Sequence, residues 1–233
     1  MNERTASEFV VEYMVGFQKT LNLIPLDRLA HVAEVLLDAY RQDRQLLIMG
    51  NGGSAATASH MAADLQKNIL GKHHATAPRL RALALTDNVA TLTALANDIA
   101  YEEIFAEQVR TWTRPGDIVV VISGSGNSPN IIRAVEVARD LGAYTIGFLG
   151  FDGGRVLDMV DLPVLVPSNH YGYIEDIHAL FNHLITAYIR EAIAREEALQ
   201  MGASRNGNAA LQLSVLNWPR QLSTLAYAQV AWD

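Results

Sequence analysis

The residues best suited to chemistry in this sequence are a histidine and an aspartate, His60 and Asp64, which stand four positions apart. They fall in a stretch of helical character, and this spacing places two side chains on one face of a helix, about one turn apart. An imidazole and a carboxylate held in this way can share a metal ion. An isolated pair of this kind more often forms a plain hydrogen bond along the helix, so the surrounding segments must decide between the two interpretations.

Two loops rich in glycine and serine precede predicted helices. The first, residues 50–55, reads GNGGSA, and the second, residues 123–130, reads SGSGNSPN. Glycine allows close backbone approach, and a serine at a helix start adds a hydroxyl beside free N–H groups. One such loop is more often a simple turn, but two of them favour a site for a phosphate monoester. The sequence contains neither a Walker lysine pattern nor a GxGxxG with a downstream acid, so nucleotide motifs match less well.

The elements that carry these loops follow from hydrophobic periodicity. Short apolar runs occur at residues 46–49, 80–85, 118–122, 145–149 and 162–166, and stretches of helical periodicity separate them. Alternating strands and helices predict a parallel sheet with helices on both faces. Ligands of such sheets bind beyond the carboxyl ends of the strands, and both loops stand at such ends.

Two amphipathic helices are predicted before the first strand. The first carries apolar residues from Phe9 to Ile24, and the second follows Pro25 with an inner face made by Leu29, Val32, Val35, Leu36 and Tyr40. N-terminal helices of this kind pack either on the sheet of their own chain or on a neighbouring subunit. We expect residues 1–195 to form one domain, and residues 196–233, where the periodicity weakens, to form a C-terminal tail of uncertain structure.

Charge and composition narrow the function classes. The formal net charge is −7, which argues against a general binder of nucleic acid or of anionic membranes, because the mean field repels phosphate polymers. A small anionic substrate is compatible with this net charge, since backbone N–H groups bind phosphate without a basic surface. The absence of cysteine excludes disulfides and thiolate chemistry. The segment MNERTASEF has no apolar signal core and no apolar run reaches spanning length, so we expect a cytoplasmic protein without a membrane partner.

Four segments together resemble blocks of the SIS-domain (sugar isomerase) phosphoheptose isomerases. They read GNGGSAATASHMAADL, LANDIAYEEIF, ISGSGNSPNII and VPSNHYGYIEDIHALFNHLI, and the similarity runs from about residue 10 to 192. The resemblance implies a three-layer αβα sandwich with a five-stranded parallel sheet. It also implies a homotetramer with active sites at subunit interfaces.

The same resemblance assigns the residues that contact the substrate. These are a turn at Asn51, Gly52, Gly53 and Ser54, a pair at Asn97 and Asp98, and a phosphate loop with Ser123, Gly124, Ser125 and Ser128. It makes His60, Asp64, Glu175 and His183 the ligands of a zinc ion, with Glu175 also at the substrate. Asp64 takes the position of a glutamate that serves as general acid and base. His178 is expected to be a packed or supporting histidine, and His73 and His74 are expected to be solvated loop residues.

Helix length limits how the four ligands can meet. Eight residues of continuous helix separate the Cα atoms of Glu175 and His183 by about 12 Å. They share one ion only if the helix begins near Glu175 or if different subunits contribute. We therefore expect sites that combine residues from at least two chains.

Three positions depart from the family pattern. Asp64 is one methylene shorter than the expected glutamate, which matters where a base must stay within hydrogen-bond reach. Glu175 replaces a neutral glutamine and adds negative charge. Tyr173 stands where an arginine is common, which removes a cationic donor.

The activity implied by the resemblance is an aldose–ketose isomerisation, with sedoheptulose 7-phosphate and D-glycero-D-manno-heptose 7-phosphate as the best-matched pair. Asp64 would act as the base and His183 as the partnering acid. Two alternatives stay open, namely an isomerase of another ketose phosphate and a non-catalytic SIS module that binds sugar phosphates or a protein partner. The ligand-type residues at all four metal positions favour the enzyme.

Overall fold

A computed structural model describes residues 4–70 and 78–205 of the chain. Five strands form one parallel sheet in the order β2-β1-β3-β4-β5. The strands are β1 Gln45–Gly50, β2 Arg81–Ala84, β3 Ile118–Ser123, β4 Tyr144–Leu149 and β5 Leu162–Leu165. The five predicted apolar runs match them to within a residue at each end. His73 and His74 lie outside the described residues.

Seven α-helices accompany the sheet in the described residues. They are α1 Ala6–Leu21, α2 Leu26–Arg41, α3 Gly53–Lys67, α4 Val89–Asp98, α5 Ala106–Trp112, α6 Pro129–Asp140 and α7 Tyr171–Arg205. In this part of the chain no helix is both long enough and apolar enough to cross a membrane. The proposed domain boundary after residue 195 stays a prediction, and residues 206–233 lie outside the described part.

Both faces of the sheet are covered, as the apolar runs predict. Side chains alternate between the two faces of a strand, so Leu46 and Ile48 of β1 enter one core while Leu47 and Met49 enter the other. The first core is closed by α2, α3 and α7, and the second by α5 and α6. The predicted three-layer αβα sandwich is therefore confirmed. This arrangement brings α3 and α7 to the same face of the sheet.

The two N-terminal helices differ in how far they are buried. In α2 the predicted inner residues Leu29, Val32 and Leu36 are buried. In α1 the apolar stripe is divided, because Phe17 and Leu21 pack against the core while Phe9, Val10 and Met14 stay more than half exposed. α1 therefore presents an apolar surface that residues 4–70 and 78–205 do not cover.

Candidate active site

The turn after β1 is tied to the turn after β3 by a pair of amides. The side chains of Asn51 and Asn130 exchange two hydrogen bonds, each amide donating to the other's oxygen at 2.9 Å. Asn130 is buried in the first turn of α6, and the Tyr101 hydroxyl donates to the Asn51 oxygen at 3.4 Å. The two glycine-rich loops therefore lie side by side at the carboxyl edge of the sheet, as neighbouring parallel strands require.

The residues that begin α3 divide into exposed and buried groups. Gly52, at the N-cap with φ of 56°, and Gly53 are exposed, whereas Ser54 is buried. Of the substrate contacts predicted in this turn, the backbone of Gly52 and Gly53 is accessible to a ligand. The Ser54 side chain faces the protein.

The serine loop uses its three predicted hydroxyls differently. The buried Ser123 hydroxyl accepts a hydrogen bond from the Gly126 amide at 3.0 Å, and the Ser125 hydroxyl accepts one from the Asn127 amide at 3.3 Å. Ser128 is the N-cap of α6 but forms no side-chain capping bond. Ser125 and Ser128 are half-buried, so these two hydroxyls are placed to reach a ligand while Ser123 shapes the loop.

An aromatic ring closes over this loop. A Cβ atom at Gly124 would lie 2.9 Å from the ring of Tyr171, so only glycine permits the close approach. Tyr171 is 57% exposed and packs edge-on against Phe151, with ring centroids 4.8 Å apart. The sequence reasoning missed Tyr171, although its position at the start of the last core helix was visible.

His60, Asp64 and His183 come together in one protomer. The Asp64 Oδ2 atom lies 3.3 Å from His60 Nε2 and 3.9 Å from His183 Nε2. The two imidazole rings meet edge to face with centroids 5.0 Å apart. One ligand atom from each residue lies within 4.8 Å of the other two. Two nitrogens and one carboxylate oxygen form a donor set that fits zinc.

Exposure differs sharply within this cluster. The side chains of His60 and His183 are 49% and 59% exposed, while that of Asp64 is 10% exposed. The imidazoles are therefore open to a ligand at the surface. The carboxylate stands behind them.

Two amides that the sequence reasoning missed hold the Asp64 carboxylate. Asn182 donates to Oδ2 at 2.8 Å and Asn68 donates to Oδ1 at 2.5 Å. Asn182 is fully buried on α7, between apolar residues that line the core. A polar residue on the apolar face of a predicted helix was the signal that could have found it.

Glu175 stands apart from this cluster in the described residues. A Cβ atom at Gly53 would lie 2.6 Å from both carboxylate oxygens of Glu175. The carboxylate therefore lies against the start of α3, beside the first glycine turn, and outside the group formed by His60, Asp64 and His183. The protomer brings together three of the four predicted ligands, in line with the limit that helix length sets.

His178 is the packed histidine that the sequence predicts. It is 1% exposed, its Nε2 atom is 3.2 Å from the Leu149 carbonyl oxygen, and its ring packs against Phe148 and Phe181. Burial lowers the pKa of His178 to about 4, and the contact with the Leu149 carbonyl opposes this shift. The ring is therefore neutral near pH 7.

The predicted pair Asn97 and Asp98 ends α4 on the surface. Both residues are exposed, and the Asn97 amide donates to Asp98 Oδ1 at 2.8 Å. The chain then turns into a short 3₁₀ helix at Tyr101–Glu103, whose Tyr101 contacts Asn51. The pair is thus linked to the first glycine turn through the next element of the chain.

Comparison with known proteins assigns the family. The SIS domain family matches residues 13–150. A phosphoheptose isomerase of Trichlorobacter lovleyi is 41% identical over 164 residues, which cover 70% of this chain and 82% of the relative. Another from Nitratiruptor is 35% identical over 188 residues, which cover 79% and 98% of the two chains. The chain belongs to the phosphoheptose isomerase family of SIS-domain proteins.

Solved structures of this family agree in fold. The phosphoheptose isomerase of Francisella tularensis aligns with a TM-score of 0.74 at 31% identity, covering 81% of this chain and all of that one. That of Neisseria gonorrhoeae aligns with a TM-score of 0.72 at 34% identity, covering 80% and 100%. The resemblance drawn from the four sequence blocks is confirmed, and the protein is an isomerase of this family.

In this member of the phosphoheptose isomerase family, Tyr173 is a packing residue. Its ring stacks on His170 with centroids 4.0 Å apart and meets Tyr13 edge-on at 4.7 Å. A Cβ atom at Gly16 would collide with its hydroxyl. Tyr173, which departs from the family pattern, therefore packs the start of α7 against α1.

Proposed function

We propose that this protein interconverts sedoheptulose 7-phosphate and D-glycero-D-manno-heptose 7-phosphate, with zinc held by residues of the cluster. The observation that carries the proposal is the position of α3. This helix begins at a glycine turn that is joined to the serine loop through Asn51 and Asn130, and it presents His60 and Asp64 towards His183 on α7. This connection supports a site in which the serine loop would bind the phosphate and the cluster would act on the other end of the same substrate.

The serine loop would fix the position of the substrate. The half-buried hydroxyls of Ser125 and Ser128 can donate to phosphate oxygens, and the backbone at the start of α6 adds a favourable field for an anion. Anchoring one end of a seven-carbon sugar limits the positions that its carbonyl end can take. Positioning of this kind contributes directly to rate.

The proton transfers would fall to Asp64 and His183. Isomerisation removes a proton from the carbon next to the carbonyl and returns a proton to the former carbonyl carbon, so that carbonyl and hydroxyl exchange places. In the proposal Asp64 takes the carbon-bound proton, and His183 moves the proton between the two substrate oxygens. The His183 imidazole is open to the surface, and the largely buried Asp64 carboxylate lies next to it, 3.9 Å from its Nε2 atom.

His60, Asp64 and His183 are the residues that would hold the zinc ion, with Glu175 as a fourth group near the first turn. When bound, the ion supplies a Lewis acid that stabilises negative charge on the substrate oxygens. The imidazoles of His60 and His183 support this choice of metal, because zinc accepts nitrogen ligands readily. Glu175, a carboxylate against the start of α3, would contact the sugar or complete the ion's coordination.

The proposal includes a homotetramer. More than half of each of the Phe9, Val10 and Met14 side chains is exposed on α1, and a contiguous apolar surface of this kind favours association. A partner chain seated near α7 would also cover the open imidazoles. Light scattering should give the mass of four chains, and a monomer with full activity would contradict this part. The cytoplasmic location expected from the sequence stays a prediction.

The direct test is turnover. Purified protein is incubated with sedoheptulose 7-phosphate, and the aldose product is measured with native metal, after chelation, and after zinc is restored. We expect turnover, its loss on chelation and its return with about one zinc per chain. If the protein turns over only a different ketose phosphate, that sugar is the substrate. Binding of a sugar phosphate without turnover would favour the non-catalytic module. Full activity in metal-free protein would contradict the role of zinc.

A further inference from the structure

Asn182 is a polar side chain in an apolar setting. It is 0% exposed and lies on α7 between Phe181 and Ile185, which are equally buried. Burial of an amide costs about 1–3 kcal/mol unless its groups are hydrogen-bonded. Asparagine is also a weak helix former compared with leucine. Packing and helix propensity therefore both favour an apolar residue here, and the amide must be explained by its contacts.

The contacts of Asn182 lead directly to Asp64. Its amide donates to Asp64 Oδ2 at 2.8 Å, the same oxygen that faces His60 and His183. Its own oxygen accepts from the Thr186 hydroxyl, one turn further along α7, at 3.4 Å. A fully buried side chain on one helix thus touches the one carboxylate of the cluster on the other helix.

The short side chain of Asp64 explains why this contact matters. An aspartate at this position extends less far from α3 than the glutamate that the family resemblance implies. Since Oδ1 accepts from Asn68 and Oδ2 from Asn182, both oxygens are held, one from the end of α3 and one from α7. The hydrogen bonds fix the rotation of the short carboxylate so that Oδ2 faces the imidazoles. Groups that orient a metal ligand in this way change metal affinity substantially.

We propose that Asn182 is a positioning residue, which holds the Asp64 carboxylate towards His60 and His183 and so offsets the shorter side chain. The inference rests on the proposed function in one respect, namely that the cluster binds a divalent ion. It predicts a specific dependence: the longer side chain of an Asp64→Glu variant reaches the imidazoles without help, and Asn182 then becomes dispensable.

The experiment is a double-mutant cycle on the full chain, read out as zinc affinity in competition with a chelator. The variants are Asn182→Leu, Asp64→Glu and the double variant. Asn182→Leu alone should weaken zinc binding by about 10-fold to 100-fold. In the Asp64→Glu background the same change should cost less than about threefold, because coupled residues deviate from additivity. The absorption spectrum of cobalt-loaded protein should change for Asn182→Leu and recover in the double variant.

A matched control is available at Gln108. This buried amide donates to the backbone carbonyls of Leu85 and Ile104, which belong to the other core. Gln108→Leu should lower thermal stability and leave zinc affinity unchanged. If Asn182→Leu does not fold, Asn182→Ala removes the same donor without adding bulk.

The outcomes separate the two proposals. Unchanged zinc affinity in Asn182→Leu, with wild type binding zinc and isomerising substrate, overturns the role of Asn182 and leaves the proposed function standing. Equal losses in the wild-type and Asp64→Glu backgrounds also overturn it, because the amide would then act only through general packing. A wild-type protein that binds no zinc overturns the metal part of the proposed function and this inference with it.

Discussion

The serine loop and the histidine–aspartate cluster are built in different ways. The loop takes its hydroxyls from six consecutive residues, Ser123 to Ser128, at the end of β3, and backbone amides of residues 150–156 donate hydrogen bonds to it. The cluster joins His60 and Asp64 of α3 to His183 of α7, and it exists only because both helices pack on the same face of the sheet. The hydroxyls of the loop thus come from one contiguous segment, whereas the cluster combines side chains that are distant in the sequence.

The difference teaches where each site is vulnerable. The serine loop receives hydrogen bonds from its own residues and from the segment after β4, where the Gly150 and Val156 amides donate to the carbonyls of Gly124 and Gly126. The cluster has a buried contact from the core, because Asn182 donates to the Asp64 carboxylate from within α7. Substitutions should therefore affect substrate binding and chemistry separately, according to the region they touch.

The largest effect is expected from the cluster. Asp64→Asn and His183→Ala should each lower kcat by about 10²-fold to 10⁴-fold, because proton transfer by a positioned side chain contributes this much. KM should change far less. Steady-state kinetics on sedoheptulose 7-phosphate measure both. The matched control is His31→Ala, an exposed histidine on α2, which should behave as wild type. An Asp64→Asn variant with wild-type kcat would remove Asp64 from the mechanism.

A second prediction concerns His178, the buried histidine of α7. The pKa of His178 is lowered by burial from 6.5 to about 4, so the unfolded chain binds a proton between these values while the folded chain does not. The contribution of His178 to the free energy of unfolding should therefore be complete above pH 6.5. The free energy of unfolding should fall by up to about 3 kcal/mol as the pH drops to 4.

Urea unfolding at several pH values measures this dependence. His178→Phe should remove the His178 share of the slope, and His31→Ala should retain it. An unchanged pH slope in His178→Phe would show that His178 is not held neutral by burial.

In the serine loop, Ser125→Ala and Ser128→Ala should each raise KM by about 10-fold to 100-fold and leave kcat within about threefold. Each variant removes one hydrogen bond to a charged group, which is worth about 1.5–3 kcal/mol. Ser128 forms no capping bond, so its loss should not lower thermal stability. Ser7→Ala, an exposed serine of α1, serves as control. Unchanged KM in both loop variants would move the phosphate site elsewhere.

The smallest effect on activity should come from the link between the two regions. Asn130→Leu removes both hydrogen bonds to Asn51 and frees the first turn from the serine loop. We expect kcat/KM to fall by about three- to tenfold and stability by about 1–3 kcal/mol. Gln108→Leu, a buried amide away from both loops, should match the loss of stability without the loss of activity. Equal activities in the two variants would mean that the link does not matter for catalysis.

The sequence predicted the local parts of this molecule well. The strands and the two glycine-rich loops follow from apolar runs and turn residues that are contiguous in the chain. That Ser125 and Ser128 are accessible while Ser123 is buried could not be predicted, because it depends on how the loop folds back on itself. His60 and Asp64 were found by spacing, but their approach to His183 came from the resemblance alone.

The supports of the site were missed for a physical reason. Asn182 matters through Asp64, which is distant in sequence, and a single asparagine in an apolar stripe carries no partner information. Glu175 was assigned to the ion by resemblance, whereas its carboxylate lies against Gly53. The two helices that meet at the cluster set these distances, and no local pattern encodes the rotation of one helix against the other.

The most direct test of the account is the fate of hydrogen at the reacting carbons. Sedoheptulose 7-phosphate is equilibrated with the metal-loaded protein in D₂O, and the product is examined by NMR. Proton transfer through Asp64 predicts deuterium at carbon 2 of the aldose, and Asp64→Asn should yield almost none in the same time. Complete conversion by the wild-type protein with no deuterium in the product would indicate a hydride shift and contradict the proposed role of Asp64.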